Sequence, residues 1–333
     1  MSVIPSGVSV QEIYRRYREN QIVVNRKYQR KLVWSETEKA CLIDSIIKGY
    51  PIPLILFAEY TGEDGRTYYE VLDGMQRLNA IVSFLEDEYP VDQKYFDIKQ
   101  LARAQQAEAE GLFMGYHGEA VHTPQICANL LDYQLAVTSY KVESQENVFE
   151  IFRRINSAGR QLSSQEQRQA GVLCQFSDLV RGIAADIRGD STNEQVVLSD
   201  MPQISIGNTR ENYRYGLNAD NTFWVKQGVI AIQNLKESDD EEIIADILIS
   251  ILLDEPFARS KERLDKAYDL SSDLYSQIEI ALIRYTPEKL KSDVQHTFSV
   301  LKNCIESVST EANYLRSIVT PTARVPIKNA FYT

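Results

Sequence analysis

The pattern of apolar positions changes near residue 163 of this 333-residue chain. Upstream, short apolar runs typical of strands alternate with amphipathic helical stretches, whereas downstream the apolar residues recur with the helical period of about 3.6. The strongest helical patterns span residues 163–187, 222–236, 240–253, 258–283 and 287–308. The pattern therefore predicts an α+β fold, with a mixed α/β domain over 1–175 and an all-α helical domain over 176–333.

One helix of the first half has clear signals at both ends. In "SETEKACLIDSIIKGYPIP", Ser35 is the expected N-cap, Glu38 completes a capping box, and Gly49 follows the last turn. Ahead of it, residues 9–20 are predicted to form a short helix and "QIVV" a strand. These signals are local, so each element is predicted independently of the rest of the fold.

A β-hairpin and a second helix follow. The apolar runs "LILFAEY" and "TYYEVLD" flank "TGEDGR", whose Gly and Asp residues favour turn conformations. The second strand runs into "DGMQRLNAIVSFL", which predicts a helix over 75–88. Farther along, "YQLAVTSYKV" predicts a strand and "SQENVFEIFRRINSAGR" a helix.

The turn "DGMQR" has both a structural and a functional interpretation. With Asp73 as N-cap, Gln76 falls at the third helical position and the pair forms a capping box. Capping does not explain Arg77, because a cation in the first turn opposes the helix dipole. A phosphate between Arg77 and the free N–H groups would explain it, and Gly74 would let that ligand approach the backbone. The alternative is a solvated or salt-bridged arginine.

Two further segments carry polar side chains in predicted loops. "RKYQRKLVW" is either a phosphate-binding loop or an exposed basic loop anchored by Trp34. "FRRINSAGRQLSSQE" is either part of the same pocket or a simple turn, followed by a capping box of Ser163 and Glu166.

Together the three segments resemble the N-terminal domain of GmrSD-type modification-dependent restriction proteins, whose fold is similar to ParB and sulfiredoxin. The family order is Tyr-Gln-Arg and Trp, then Asp-Gly-Gln-Gln-Arg, then Phe-x-x-Ile-Asn-x-x-Gly-x-x-Leu with a downstream Glu. Here the matching residues are Tyr28 to Arg30 with Trp34, Asp73 to Arg77, and Phe152 to Leu162 with Glu166. The resemblance covers roughly residues 10–175.

The resemblance implies a nucleotide pocket with Mg²⁺ as a further candidate cofactor. The candidate catalytic residues are Asp73, Gln76, Arg77 and Glu166, with Asp73 also the candidate metal ligand. Gln76 would orient a phosphate or water, and Arg77 would bind phosphate charge. The candidate nucleotide-binding residues are Tyr28, Gln29, Arg30, Gly74, Arg77 and Asn156.

Two departures from the family pattern affect what is expected. Met75 replaces the first Gln of the pair, which favours binding without hydrolysis, and Lys31 replaces a proline. The HNH-type nuclease motif of full-length relatives is not present, since residues 180–333 contain one histidine, His296. The chain ends on the apolar and aromatic "PTARVPIKNAFYT", from which we expect a piece of a longer protein.

Composition narrows the class of protein. The net charge of −11 argues against a protein that coats nucleic acid with its whole surface, although residues 15–31 hold seven basic residues against one acidic. The four cysteines are widely spaced, so we expect no disulfide or zinc site and four buried thiols. No membrane span or signal peptide is apparent, which predicts a cytoplasmic protein.

Three functions are consistent with these observations. The first is a nucleotide-binding regulatory or sensor component of a restriction-like anti-phage defence system, with NTP hydrolysis left open. It would act on foreign or modified DNA directly or through a partner nuclease. The second is a non-catalytic DNA- or partner-binding module that uses the basic segment 15–31. The third is a ParB-like nuclease. An oligomer is left open.

Overall fold

The computed structural model describes residues 3–27, 29, 31–142, 148, 151, 163–169, 172, 174–190, 193–201, 203–205, 216–256, 260–322, 325–328 and 331. Packing divides the chain into two compact units. The sheet unit contains Met1–Phe152, Asn193–Gln203 and Thr209–Gly216, and the helical unit contains Arg153–Thr192, Ile204–Asn208 and Leu217–Thr333. The predicted domain division after residue 175 stays a prediction, since packing assigns residues by their contacts rather than by the limits of a homologous domain.

Six strands form the mixed sheet of the first unit: β1 (Val3–Ser9), β2 (Ile22–Asn25), β3 (Ile55–Thr61), β4 (Thr67–Asp73), β5 (Gln134–Lys141) and β6 (Gln195–Val197). Their order is β1-β5-β3-β4-β2-β6. The central pair β3 and β4 is the predicted antiparallel hairpin, while β3 with β5 and β2 with β4 are parallel. Two short strands, β7 (Gln203–Ser205) and β8 (Gly216–Asn218), pair in a second sheet.

Five described helices belong to the sheet unit: α1 (Val10–Arg18), α2 (Glu36–Ile47), α3 (Met75–Leu85), α4 (Ala102–Ala109) and α5 (Pro124–Asp132). The expected capping box of α2 is confirmed, with Ser35 and Glu38 each accepting from the other's backbone N–H. Gly49 takes the left-handed conformation, with φ +74°, just after that helix.

The core of the sheet unit fixes the start of α3. The helix buries Leu78, Ile81 and Leu85 against the same hydrophobic cluster that contains Phe57 of β3 and Val71 of β4. Because β4 and α3 share this core and are joined by Gly74 alone, the first turn of α3 is held at the end of the hairpin. The turn between them is therefore a rigid element.

The helical unit contains nine described helices: α6 (Ser164–Gln169), α7 (Gln175–Arg188), α8 (Phe223–Lys226), α9 (Ile232–Lys236), α10 (Asp239–Leu253), α11 (Lys261–Tyr268), α12 (Asp273–Tyr285), α13 (Pro287–Val308) and α14 (Tyr314–Val319). The predicted α+β fold with a helical second half is confirmed. The single helical pattern over 258–283 corresponds to two helices, because Ser272 caps a new start by accepting from the N–H of Tyr275.

Not all of the other predictions about strands, helices and cysteines agree with the structure. Strands β1 and β6 were not predicted, and the helix predicted over "SQENVFEIFRRINSAGR" lies almost wholly outside the described residues. Cys127 and Cys174 are buried as expected, but Cys41 and Cys304 are exposed, so the expectation of four buried thiols was wrong. Across the described ranges, no helix has the length and apolar character needed to cross a bilayer.

Glu70 is a buried carboxylic acid in the middle of the sheet. It lies on β4, is 3% exposed, and accepts from Gln195 Nε2 at 3.2 Å and from the side chain of Asn25. Burial raises its pKa to about 7, although the two amide donors act in the opposite direction. Folding therefore favours the neutral carboxyl, and the free energy of unfolding should fall as pH rises from the ordinary pKa of Glu through about 7.

Glu70→Gln should remove this pH dependence, because the amide does not ionise. Relative to the unchanged protein, the variant should gain about 2–3 kcal/mol of stability between about pH 5 and about pH 8. Urea unfolding at the two pH values measures the change. Glu63→Gln, at an exposed position in the hairpin turn, is the control and should change neither value. An equal effect of Glu70→Gln at both pH values would contradict the assignment.

Candidate functional site

The turn between β4 and α3 is built on a left-handed glycine. Gly74 has φ +97° and ψ +10° and is the N-cap of α3, and no side chain caps the helix. Asp73 instead accepts from the adjacent N–H of Gly74, with Oδ1 at 2.7 Å. The predicted capping box of Asp73 and Gln76 was therefore wrong, because the helix starts one residue later than expected.

Gly74 also lies in close contact with the start of β3. A Cβ built on it would be 3.1 Å from Cγ1 of Ile55 and 3.3 Å from Nη2 of Arg77. A larger residue would be strained by its positive φ and crowded by Ile55. Glycine is therefore needed here for both conformation and space.

Arg77 folds back over this turn. Its Nη2 donates to Oδ2 of Asp73 at 2.9 Å and to the carbonyl of Leu54 at 2.9 Å. The Arg77 side chain is 15% exposed and that of Asp73 is 50% exposed, so the pair lies at the surface with its carboxylate outward. The buried Nε of Arg77 has no hydrogen-bond partner among the described residues. The salt-bridged alternative is thus realised.

Gln76 points to the loop that precedes α2. Its Oε1 accepts from the backbone N–H groups of Val33 at 3.1 Å and Trp34 at 3.3 Å, and its Nε2 donates to the carbonyl of Lys31 at 2.7 Å. Both ends of the amide are therefore used on main-chain groups. In this arrangement Gln76 positions the loop rather than facing a ligand.

Gln29 makes a second tie between the same loop and the turn. Its Nε2 donates to the carbonyl of Leu72 at 2.8 Å. Gln29 and Lys31, which flank Arg30 in the sequence, are thus both bonded to the segment around the start of α3. The structure brings Gln29, Asp73 and Arg77 to one turn, whereas Tyr28 and Arg30 lie outside the described residues.

The third predicted segment contributes a helix cap. Ser163 Oγ accepts from the N–H of Glu166 at 3.2 Å, and Glu166 Oε2 accepts from the N–H of Ser163 at 2.9 Å. The predicted capping box is confirmed, and Glu166 belongs to the helical unit. Asn156 lies outside the described residues. Capping the start of α6 is therefore a sufficient structural reason for a glutamate at position 166.

The basic segment 15–31 is largely balanced by carboxylates. Arg15 pairs with Glu12 and Glu19, and Arg16 also pairs with Glu12. Arg18 pairs with Glu86 and Lys27 with Glu194. Glu12 accepts hydrogen bonds from Arg15, and this is the main reason that the pKa of Glu12 is lowered to about 2. Much of the positive charge seen in the sequence is thus neutralised within the fold.

Metal-binding chemistry is sparse in the described part of the chain. No group of three or more His, Cys, Asp or Glu side chains there is arranged to hold a metal ion. Asp73 is one carboxylate, already engaged with Gly74 and Arg77. A Mg²⁺ ion at this turn would therefore need further oxygen ligands, such as those of a phosphate chain or water.

Comparison with known families decides the relationship. Residues 10–173 match the family described as GmrSD restriction endonuclease, N-terminal domain. The chain belongs to the GmrSD N-terminal domain family. It is accordingly a component of a restriction-like defence system. The comparison with curated proteins gives no match.

The departure from the GmrSD pattern at residue 75 lies inside the protein. Met75 is buried and belongs to the hydrophobic core of the sheet unit. Its side chain therefore replaces an amide in the packing beneath the turn, not on the side where Asp73 is exposed. Sequence reasoning missed Leu54, whose carbonyl binds Arg77. The prolines at 51 and 53 are the signal that this backbone is held extended.

Gln76→Met should loosen the loop while keeping the helix. The change removes the amide that accepts from two N–H groups and donates to one carbonyl of residues 31–34, which we expect to cost about 2 kcal/mol. Urea unfolding should show the loss, and amide hydrogen exchange should show faster exchange at Val33 and Trp34. The control is Gln106→Met on α4, where the exposed amide bonds only to Glu110. Unchanged protection at Val33 and Trp34 would contradict the clamp.

Proposed function

We propose that the sheet unit binds a nucleotide through its phosphates at the start of α3 and that the chain acts as a nucleotide-responsive component of restriction-like defence. The observation that carries the proposal is an uncapped helix start with the Arg77 guanidinium beside it. Free N–H groups and the helix dipole favour an anion at that position, and a guanidinium adds charge-assisted hydrogen bonds.

The Asp73 carboxylate makes the nature of the ligand more specific. It is exposed and bonded to the cation that would receive the phosphate, so an incoming anion meets one negative charge. A divalent cation between the phosphate chain and Asp73 would balance that charge, and Mg²⁺ commonly binds with one or two carboxylates plus phosphate oxygens. We therefore propose a Mg²⁺-bound nucleoside triphosphate rather than free phosphate.

Hydrolysis is part of the proposal because Met75 does not occupy the exposed side of the turn. Because the Met75 side chain lies in the core, the loss of the family's amide at this position removes no group from the surface that Asp73 and Arg77 present. Asp73 is the exposed carboxylate positioned to act on water or a cation. Gln76 supports the site through the loop backbone.

The two alternatives receive less support from the contacts. A ParB-like nuclease needs clustered metal ligands, and Asp73 and Glu166 belong to different packing units, with Glu166 used as a cap. Direct DNA binding through segment 15–31 would have to use Arg15, Arg16 and Arg18 while they are paired with carboxylates. The family still suggests an interaction with DNA, which we propose occurs elsewhere on the chain or through a partner nuclease.

Arg77→Ala should weaken nucleoside triphosphate binding by at least about 10-fold, because hydrogen bonds to charged groups contribute about 1.5–3 kcal/mol. Isothermal titration calorimetry with a panel of nucleoside triphosphates and Mg²⁺ measures the change. Arg66→Ala is the control, since Arg66 is an exposed arginine of the hairpin turn. Retention of full affinity in Arg77→Ala would exclude this site, and no binding by the unchanged protein would exclude the function.

Asp73→Asn should separate the carboxylate's two roles. The amide oxygen can still accept from the N–H of Gly74, but the negative charge beside Arg77 is lost. We expect triphosphate binding without Mg²⁺ to tighten several-fold and the enhancement by Mg²⁺ to disappear. Titrations with Mg²⁺ and with a chelator measure both effects. If Mg²⁺ enhances binding equally in the two proteins, Asp73 is a partner of Arg77 and not a metal ligand.

A further inference from the structure

A short proline segment, Tyr50-Pro51-Ile52-Pro53-Leu54, leads directly to the proposed phosphate site. Tyr50 is 60% exposed and Leu54 is 43% exposed, whereas Ile52 packs against the core of the sheet unit. Single exposed apolar residues are common on protein surfaces, so exposure alone does not identify a site. The position of this segment does, because it ends at the carbonyl that binds Arg77.

The segment is fixed at both ends. At one end, the carbonyl of Leu54 accepts from Arg77 Nη2, and the next residue, Ile55, lies against Gly74. At the other end, the carbonyl of Tyr50 accepts from Tyr133 Oη at 2.8 Å, and the N–H of Tyr50 donates to the carbonyl of Ser45 at 2.9 Å. The exposed side chains of Tyr50 and Leu54 are thus carried by a rigid backbone.

The prolines set the spacing of these two side chains. Proline and the residue before it favour the polyproline II conformation, with three residues per turn and about 3.1 Å per residue. Tyr50 then lies about 12 Å along the chain from Leu54. Ile52 is directed inward. With three residues per turn, the side chains of Tyr50 and Leu54 then both point outward, one to each side, in agreement with their exposure. The base of a nucleotide is separated from its terminal phosphate by a comparable length.

We propose that the proline segment is the wall of the nucleotide site between the phosphates and the base, with the Tyr50 ring stacking on the nucleobase and Leu54 at the phosphate end. This inference rests on the proposed function, because it requires the terminal phosphates at Arg77. Stacking uses the face of the base and reads none of its edge groups. The site therefore accepts several nucleoside triphosphates and binds purines more tightly than pyrimidines.

The test compares ATP with inorganic tripolyphosphate, each with Mg²⁺, by calorimetry on the full chain. Tyr50→Ala should weaken ATP binding about 10-fold and leave tripolyphosphate binding unchanged, because only ATP carries a base to stack. Tyr50→Phe keeps the ring and should keep the affinity for ATP. Tyr285→Ala, at an exposed tyrosine of the helical unit, is the control and should bind both ligands as the unchanged protein does.

The outcomes distinguish the inference from the function on which it rests. If Tyr50→Ala binds ATP with unchanged affinity while Arg77→Ala loses it, the stacking wall is overturned and the phosphate site stands. If Tyr50→Ala weakens ATP and tripolyphosphate equally, Tyr50 acts on the phosphate site and the stacking role is overturned. If the unchanged protein binds neither ligand, the proposed function fails and the inference fails with it.

Discussion

The side-chain amide of Gln76 joins two stretches of chain that lie 42 to 45 residues apart. On one side is the first turn of α3, which the core holds at the end of the hairpin. On the other is the backbone of Lys31, Val33 and Trp34. Gln76, together with the parallel contact from Gln29 to Leu72, therefore holds this backbone at the start of α3. Placing the amide in the rigid helix orders the adjoining backbone in the free protein, which would lower the entropic cost of the proposed nucleotide binding.

The ion pair between Arg77 and Asp73 at the turn is arranged so that either residue could change its partner at low cost. Arg77 is mostly covered and anchored by the carbonyl of Leu54, whereas its partner Asp73 is half exposed. An exposed ion pair contributes little to stability, so its rearrangement costs little. In the proposed complex, a triphosphate with a divalent cation would take over both charges, the cation meeting Asp73 and the phosphate meeting Arg77. The Leu54 contact would keep the guanidinium in place during that exchange.

Local elements of this fold were predictable from sequence, and the contacts of the site were not. Ser35, Glu38 and Gly49 define α2 through interactions within a few residues, and the hairpin is signalled by its own turn. The error at Asp73 arose because Asp-x-x-Gln fits a capping box, while the actual start is set by how β4 and β3 approach at Gly74. Edge strands β1 and β6 gain their structure from distant partners, β5 and β2. The Arg77 to Leu54 and Gln76 to Lys31 contacts likewise have no local signal.

The family match and the packing divide the chain differently, and α6 shows why. It lies within the matched residues 10–173, yet its buried side chains bond inside the helical unit. Gln165 and Gln169 donate to the hydroxyl of Tyr268, and Arg168 binds Asp265 and Glu242. A fragment cut at the end of the homologous region would leave Arg168 without either carboxylate and two amides without their acceptor, which is costly for buried groups. The residues matched to the family domain therefore include a segment of the helical unit, and a cut after residue 173 would divide that unit.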